Sequence, residues 1–333
     1  MNFVFRLSSS LRPTLTKNFT KPTTTAFSRK MSNAAGTPGA DRLTANHLFS
    51  FPQTYVAVVT GGATGIGLMI TQALATNGAK VYITGRREKD LENVAKRYPG
   101  KIIPVAADIT DEASVQKLVA EVGKNEPKGI HLLVNNAGVA KEKQTTSFST
   151  ADVDFKNADS LAKHLAKATR ESWAETFETN VTAQYFTSVA FVPLLAAGTK
   201  NTPGYSSSIV NIASISGVMK NSSRGQFAYA ASKAAFLQLT RNLATTLKEI
   251  KVRVNSIAPG IFPSEMTADS SDEAGKSSLE GTGKADGIPA GRTGSEQDMA
   301  AAILYLAGPG GVFVNGLTVY VDGGNLLTAP SVA

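Results

Sequence analysis

From about residue 52 onward, short apolar runs alternate with longer segments in which apolar residues recur three and four positions apart. The stretch TYVAVVTGGATGIGLMITQALATNGAKVYITGRR reads as an apolar run, a Gly-rich turn, a helical segment ending near NGA, and a second apolar run. That is one βαβ unit. The cycle continues through KIIPVAADIT, a helix over 111–124, IHLLVNNAG, a helical stretch around 171–197, SSIVNIASISG, a helix over 227–247 and VRVNSIAPG. It closes with a helix over 296–307 and the strand LTVYVDGG. About seven strands alternating with helices predict an α/β fold with a mostly parallel sheet covered on both faces. Right-handed crossovers make it a doubly wound, single-domain sheet, with its ligand crevice at the carboxyl ends of the strands.

The first 40 residues do not share this pattern. They carry Arg6, Arg12, Lys17, Lys21, Arg29 and Lys30 with no acidic residue, so most of the net charge of +8 lies there. The body is nearly neutral and lacks the basic stripe that binding to a phosphate backbone requires, which argues against a nucleic-acid partner. The leader is also rich in Ser and Thr and opens with apolar residues among the arginines, as mitochondrial transit peptides do. A mitochondrial address follows; a disordered tail is the other reading, and Met31 offers an internal start whose product would stay in the cytoplasm.

The chain has no Cys, which excludes disulfides, zinc–thiolate and iron–sulfur centres, and thiol nucleophiles. His47, His131 and His164 show neither an HExxH pair nor another short ligand spacing, so no metal is expected. The most apolar stretch, VAFVPLLAAG, is short and contains Pro193. No membrane span is predicted from it.

The chemistry begins at TGGATGIG, which places Gly61, Gly65, Ile66 and Gly67 between the first strand and its helix. Glycine allows the backbone to approach a pyrophosphate, and the helix start supplies free N–H groups and a positive dipole end. A tight turn without a ligand would look the same. EAGKSS resembles the end of a P-loop, but Ser270 stands where that motif needs Gly. In the 227–247 helix, Tyr229 and Lys233 are four apart and share a side of an otherwise Ala- and Leu-rich segment. Alone, the pair could be a half-exposed Tyr packed on a lysine stem.

Taken in order, TGxxxGxG at 60–67, Asp108, NNAG at 135–138, Asn180 in ETNV, Ser214 in VNIAS, YxxxK at 229–233 and PG at 259–260 resemble the short-chain dehydrogenase/reductase family over residues 52–326. YAASKAA and VNSIAPG are most similar to 3-oxoacyl-carrier-protein reductases and related carbonyl reductases. The resemblance implies a Rossmann-type fold, a nicotinamide cofactor, a small-molecule carbonyl or alcohol substrate, and a homodimer or homotetramer. It further implies that Tyr229 is the acid or base, that Lys233 tunes it and holds the nicotinamide ribose, that Ser214 binds the substrate oxygen, and that Asn180 completes a water-linked proton path. A free Tyr titrates near pH 10. An ammonium one helical turn away is expected to lower that value.

The family's usual spacing, thirteen residues before the tyrosine, would select Ser216. Ser214 is preferred because it follows VNIA and precedes Gly217 by three. Ser264 stands where the family commonly has Thr after PG, and keeps a hydroxyl for the nicotinamide amide. At the end of the second strand, Arg86 and Arg87 replace the Asp typical of NAD-specific members and offer forks for a 2′-phosphate, which favours NADPH (NADP+). Asp108 is expected at the adenine amino group and Asn135, with its backbone, along the adenosine side.

Two segments exceed the compact pattern. The polar, partly helical insertion at 141–170 could line the substrate entrance or decorate the outer surface. Residues 264–290, rich in Gly, Ser, Asp and Glu, should form a mobile lid. A dehydrogenase of a polyol, sugar or steroid, or a non-catalytic NADP(H) sensor, are the alternative functions on this fold.

Overall fold

The computed structural model describes residues 40–142, 145–148, 153–329 and 331–332. The leader falls outside them, apart from its last residue. Seven strands form one sheet: β1 (Val56–Thr60), β2 (Lys80–Gly85), β3 (Ile102–Ala106), β4 (Leu132–Asn135), β5 (Ser208–Ile212), β6 (Arg253–Pro259) and β7 (Thr318–Val321). Their order is β3-β2-β1-β4-β5-β6-β7 and every pairing is parallel. The order reverses between β1 and β4, which opens the crevice expected of a doubly wound sheet. Pro104 lies in β3, an edge strand, where its missing N–H costs no ladder bond.

The helices are α1 (Ala45–Phe49), α2 (Gly65–Thr76), α3 (Glu88–Arg97), α4 (Glu112–Asn125), α5 (Ala158–Leu165), α6 (Arg170–Phe177), α7 (Ala183–Asn201), α8 (Phe227–Leu247), α9 (Glu265–Ala268), α10 (Glu296–Ala307) and α11 (Asn325–Thr328). A π-helical turn, Glu178–Thr182, joins α6 to α7. The resulting helix, Arg170–Asn201, is long and apolar enough to span a membrane, but Phe191 and Leu195 are fully buried against the sheet.

Strand periodicity divides the core into two layers. Ala57 and Val59 of β1, with Leu132 and Val134 of β4, face α2 and α10, where Leu68, Leu74, Met299 and Ile303 close the layer. Val56, Val58 and Leu133 face the other way, onto Leu118 of α4, Phe191 and Leu195 of α7, and Leu243 and Leu247 of α8. Burying each of these large aliphatic or aromatic side chains stabilises the fold by roughly 1.5–3 kcal/mol, which fixes α2 and α8 and therefore the two helix starts that bear on the crevice.

Polar groups also cross this core. Asn135 Nδ2 donates to Ser188 Oγ (2.8 Å) and to Asn211 Oδ1 (2.9 Å), and Asn211 Nδ2 donates to Thr240 Oγ1 (3.0 Å). One chain of hydrogen bonds thus runs from α7 through β4 and β5 to α8. Arg253, at the start of β6, is buried and satisfied by the carbonyls of Leu306, Gly311 and Val314. His131 accepts from Val56 N–H at Nδ1 (3.0 Å), so Nε2 carries the proton toward Thr202 Oγ1 (2.8 Å).

Candidate active site

The Gly-rich turn leaves β1 and enters α2 over Asn136, not over its neighbour Asn135. Asn136 Nδ2 donates to the carbonyls of Thr60 (2.9 Å) and Gly61 (3.1 Å), while Thr60 Oγ1 accepts from the Asn136 and Ala137 N–H groups (2.9 and 3.1 Å). A Cβ at position 67 would stand 2.0 Å from the Gly61 carbonyl oxygen, so only glycine fits there. Gly61 itself has φ +64°, a left-handed conformation in which other residues are strained. Asn135, whose backbone is expected along the adenosine side, is fully buried, and its side-chain amide donates into the core network.

At the end of β2, Arg86 is exposed. Arg87 behaves differently from the expected free fork. Its Nη1 and Nη2 donate to Glu265 Oε1 and Oε2 (2.9 Å each), and its Nε lies 3.0 Å from Asp90 Oδ2. The arginine holds the Glu265 carboxyl below its usual range through hydrogen bonding. Asp108 is half-buried after β3 and accepts from Thr110 N (3.0 Å) and Oγ1 (2.8 Å). Ile66 is half-buried in the first turn of α2 and packs on the core.

Residues 264–290 lie directly on this turn. Ser264 precedes α9, shares a hydrogen bond with Thr267 Oγ1 (3.1 Å), and approaches Gly65 so closely that a Cβ there would be 2.9 Å from its own Cβ. Gly65 N–H donates to the Gly275 carbonyl (3.3 Å), and Arg97 Nη2 donates to the Ala274 carbonyl (2.8 Å). Leu279 and Ile288 are buried. A cleft of about 950 Å³, lined by Gly65, Leu68, Met69, Lys276 and Arg292 among others, separates the segment from α2. It belongs to the Gly-rich turn; Ser214, Tyr229 and Lys233 lie outside its walls.

These three residues converge beyond β5. Ser214 is buried and faces the Tyr229 phenol, where its hydrogen bonding favours the ionised form. Ser216, the alternative, turns its hydroxyl to Ser223 Oγ (2.8 Å) and only its N–H (3.1 Å) to Ser214 Oγ. Lys233 is buried; its Nζ donates to the Ile212 carbonyl (2.8 Å) and stands 5.7 Å from the Tyr229 ring centroid. Burial lowers its pKa to about 8. The tyrosine, however, is shifted opposite to expectation. Its pKa is raised, first by burial and also by the Glu142 carboxylate, against the Ser214 contribution. Spacing placed the lysine beside the ring, but its ammonium is directed at a main-chain carbonyl.

Asn180 occupies the π-helical turn. Its Oδ1 accepts from Val139 N (2.8 Å), and its Nδ2 donates to Val139 O (2.9 Å) and Ser232 Oγ (3.0 Å). The side chain therefore fixes the backbone after NNAG. It still borders the lysine: a Cβ at Gly138 would lie 3.1 Å from Asn180 Oδ1 and 3.6 Å from Lys233 Nζ. Such π turns recur where a helix is bent to serve a site.

The described part of the insertion packs beside the same place. Thr146 Oγ1 donates to Gly225 O (2.7 Å), Phe148 N to Arg224 O (2.8 Å), and Glu142 Oε1 accepts from Tyr229 N–H (2.8 Å). These described residues border the start of α8. Glu142 is the residue that sequence reasoning missed, while Thr60 and Asn136 stood inside the quoted motifs without a role of their own. NNAG had flagged the second asparagine, whereas nothing in KEK marks its glutamate as buried.

Residues 55–275 match the family model described as short chain dehydrogenase. The chain belongs to the short-chain dehydrogenase/reductase family. It is 41% identical over 292 residues, covering 87% of this chain and 97% of the relative, to short-chain dehydrogenase/reductase PhomF' of Diaporthe leptostromiformis. To the rhamnolipids biosynthesis 3-oxoacyl-[acyl-carrier-protein] reductase of Pseudomonas aeruginosa it is 33% identical over 273 residues, 81% of this chain and 95% of that one. The solved Pseudomonas aeruginosa RhlG/NADP active-site complex superposes with a TM-score of 0.68 at 31% identity, over 84% of this chain and 98% of the other. This dehydrogenase/reductase is thus an NAD(P)-dependent oxidoreductase resembling 3-oxoacyl reductases.

Its residues fit such a nucleotide. Thr64, which precedes α2, makes no side-chain hydrogen bond to the first turn, and with Gly65 N–H donating to Gly275 it is the Ile66 and Gly67 N–H groups that are suited to a pyrophosphate. Position 67 has room for backbone only. Arg86 is exposed directly after β2.

Proposed function

We propose that this protein uses NADPH to reduce a ketone to a secondary alcohol, in the manner of 3-oxoacyl reductases, with Tyr229 as the proton donor. The observation that carries the reading is the convergence of Ser214, Tyr229 and Lys233 beyond β5, with the phenol held in its protonated form. When bound, the nucleotide supplies the hydride. Ser214 orients the substrate oxygen by a hydrogen bond, and Tyr229 gives its proton to that oxygen as the carbonyl carbon is reduced. Lys233 remains largely an ammonium at neutral pH and stabilises the phenolate left behind. Asn180 holds the Val139 backbone against this group and borders the path by which Tyr229 regains a proton.

The preference for NADPH rests on Arg86 and Arg87, which follow β2 in the chain at the place where an acidic residue would accept from ribose hydroxyls. Asp108 and Asn136 would flank the adenosine, Gly61, Gly65, Ile66 and Gly67 the pyrophosphate, and Ser264 the nicotinamide amide. The exposed apolar side chains Trp173, Tyr185, Phe186 and Val189 along Arg170–Asn201 support a homodimer or homotetramer. A panel of ketones and alcohols, each assayed with both cofactors, tests the function. Ketone reduction with NADPH should be fastest, and a preference for alcohol oxidation with NAD+ would overturn the reading.

A further inference from the structure

Helix α8 carries the site, yet its own sequence does not cap it. Gln226 occupies the N-cap position without a side-chain hydrogen bond, and Ser222, Ser223, Arg224 and Gly225 form an irregular approach in which the last three have positive φ. Tyr229 is the third residue of the helix, and its N–H is one of the donors that a capping side chain normally accepts. Here the acceptor comes from 87 positions earlier: Glu142 Oε1, at 2.8 Å.

Glu142 is 2% exposed, and among the described residues its second oxygen, Oε2, has no hydrogen-bond partner. A buried carboxylate oxygen left unpaired destabilises the fold by roughly 1–3 kcal/mol. If capping were its whole purpose, Asn or Ser would serve without that cost. The described residues that follow are tied to it and to α8's approach: Thr145 N and Ser147 N donate to the Glu142 carbonyl (3.0 Å each), and Thr146 and Phe148 bond Gly225 and Arg224 as described. His164 of α5 adds a bond from Nε2 to the Thr146 carbonyl (3.0 Å) and stacks on Phe148. The insertion therefore brings one negative charge to the first turn of the catalytic helix and holds it there.

We propose that Glu142 is a positioning residue for Tyr229: its carboxylate caps α8 at the tyrosine's own N–H and sets the charge environment of the phenol so that it serves as an acid. The proposal rests on the reading of Tyr229 as proton donor. Among the described residues the charged groups bearing on the tyrosine are Glu142 from the insertion and Lys233 from α8, with the Ser214 hydroxyl facing it from the loop after β5. A carboxylate beside a phenol opposes ionisation, whereas an ammonium or a donated hydrogen bond favours it. The carboxylate thus favours reduction over alcohol oxidation, which needs the phenolate as base.

The test compares Glu142→Gln, Glu142→Ala and Tyr229→Phe in the full chain, using the best ketone of the panel above, with NADPH affinity measured by its fluorescence. Gln keeps an acceptor for Tyr229 N–H but removes the charge. It should retain turnover within about threefold, while the alkaline fall of kcat/KM for reduction moves to lower pH by about one unit. Ala removes both, and should lose about tenfold in kcat with NADPH affinity within twofold. Gln rescuing Ala in rate but not in pH profile is the signature of a charge acting on Tyr229. An unshifted Gln profile, or equal damage in Gln and Ala without a shift, would overturn the proposal and leave Glu142 a structural cap. Full activity of Tyr229→Phe would instead remove the underlying reading of the proton donor.

Discussion

Arg87 closes both prongs of its guanidinium on the Glu265 carboxylate, 2.9 Å at each oxygen. The pair ties the start of α3 to α9, and Ser271 Oγ adds a bond to Glu265 Oε1 (2.7 Å). An anionic carboxylate thus occupies the fork that the sequence assigns to a 2′-phosphate.

Competition between carboxylate and phosphate gives the first prediction. Glu265→Ala should tighten NADPH severalfold and leave NADH unchanged, because only NADPH needs the freed arginine. Replacing Arg86 and Arg87 together by Ala should weaken NADPH by at least about tenfold, with charge-assisted contacts of roughly 1.5–3 kcal/mol discounted for exposure. Calorimetric titration with both nucleotides decides the matter; equal effects on the two would rule out phosphate recognition here. Hydrogen exchange over 264–290 should in parallel show protection when cofactor and a substrate analogue bind together.

Removing the proton donor is the second test. Tyr229→Phe should bind NADPH normally and lose at least about a hundredfold in turnover. Lys233→Met should impair both. Since burial lowers the lysine to about pH 8, wild-type reduction should show a first, partial decline as pH rises past that value, below the separate fall that Tyr229 ionisation sets and that Glu142→Gln moves. A flat profile to pH 10 would show that the ammonium is not needed.

The third concerns acid stability. Burial lowers His131 to about 4, against an ordinary value near 6.5. Above pH 6.5 both folded and unfolded chains hold the neutral imidazole, so stability is complete. Between 6.5 and about 4 the unfolded chain takes up a proton that the folded chain refuses, and stability falls by up to about 3 kcal/mol. Urea midpoints at pH 7 and 4.5 should differ accordingly, and His131→Gln should shrink the difference. An unchanged pH dependence in that variant would assign the loss to other groups.

The leader supplies the fourth. Import into mitochondria with removal near residues 28–35 is expected, and N-terminal sequencing of the mature protein after fractionation checks it. A cytosolic protein beginning at residue 1 or 2 would contradict import.

The alternation of strands and helices was legible because both faces of the sheet are apolar and the connecting helices are long. The 227–247 and 296–307 helices coincide with α8 and α10. The helical stretch around 171–197 was also visible, but its π-helical turn was not. That turn is bound up with Asn180, whose side chain grips Val139, 41 residues away in sequence. Glu142 was equally hidden, since burial of a glutamate between two lysines is decided by where the insertion docks. For Tyr229 and Lys233, spacing gave proximity correctly. The direction of the tyrosine's shift depended first on burial and then on Glu142, which no local pattern discloses.

The buried amide pair Asn135 and Asn211 bears on how the chain avoids misfolding. Parallel strands meet only after long crossovers, and β4 and β5 consist largely of interchangeable Val, Ile and Leu. Apolar packing alone discriminates poorly between pairings displaced along the strand. Displacing β5 by two residues against β4 would keep every side chain on its proper face, yet would part the Asn135 amide from the Asn211 amide and the Asn211 amide from Thr240 inside the core. At roughly 1–3 kcal/mol for each unsatisfied group, the displaced sheet would forfeit much of the stability of an ordinary domain. These two asparagines act as an alignment key, so that only one registration of the central strands survives to carry the crevice.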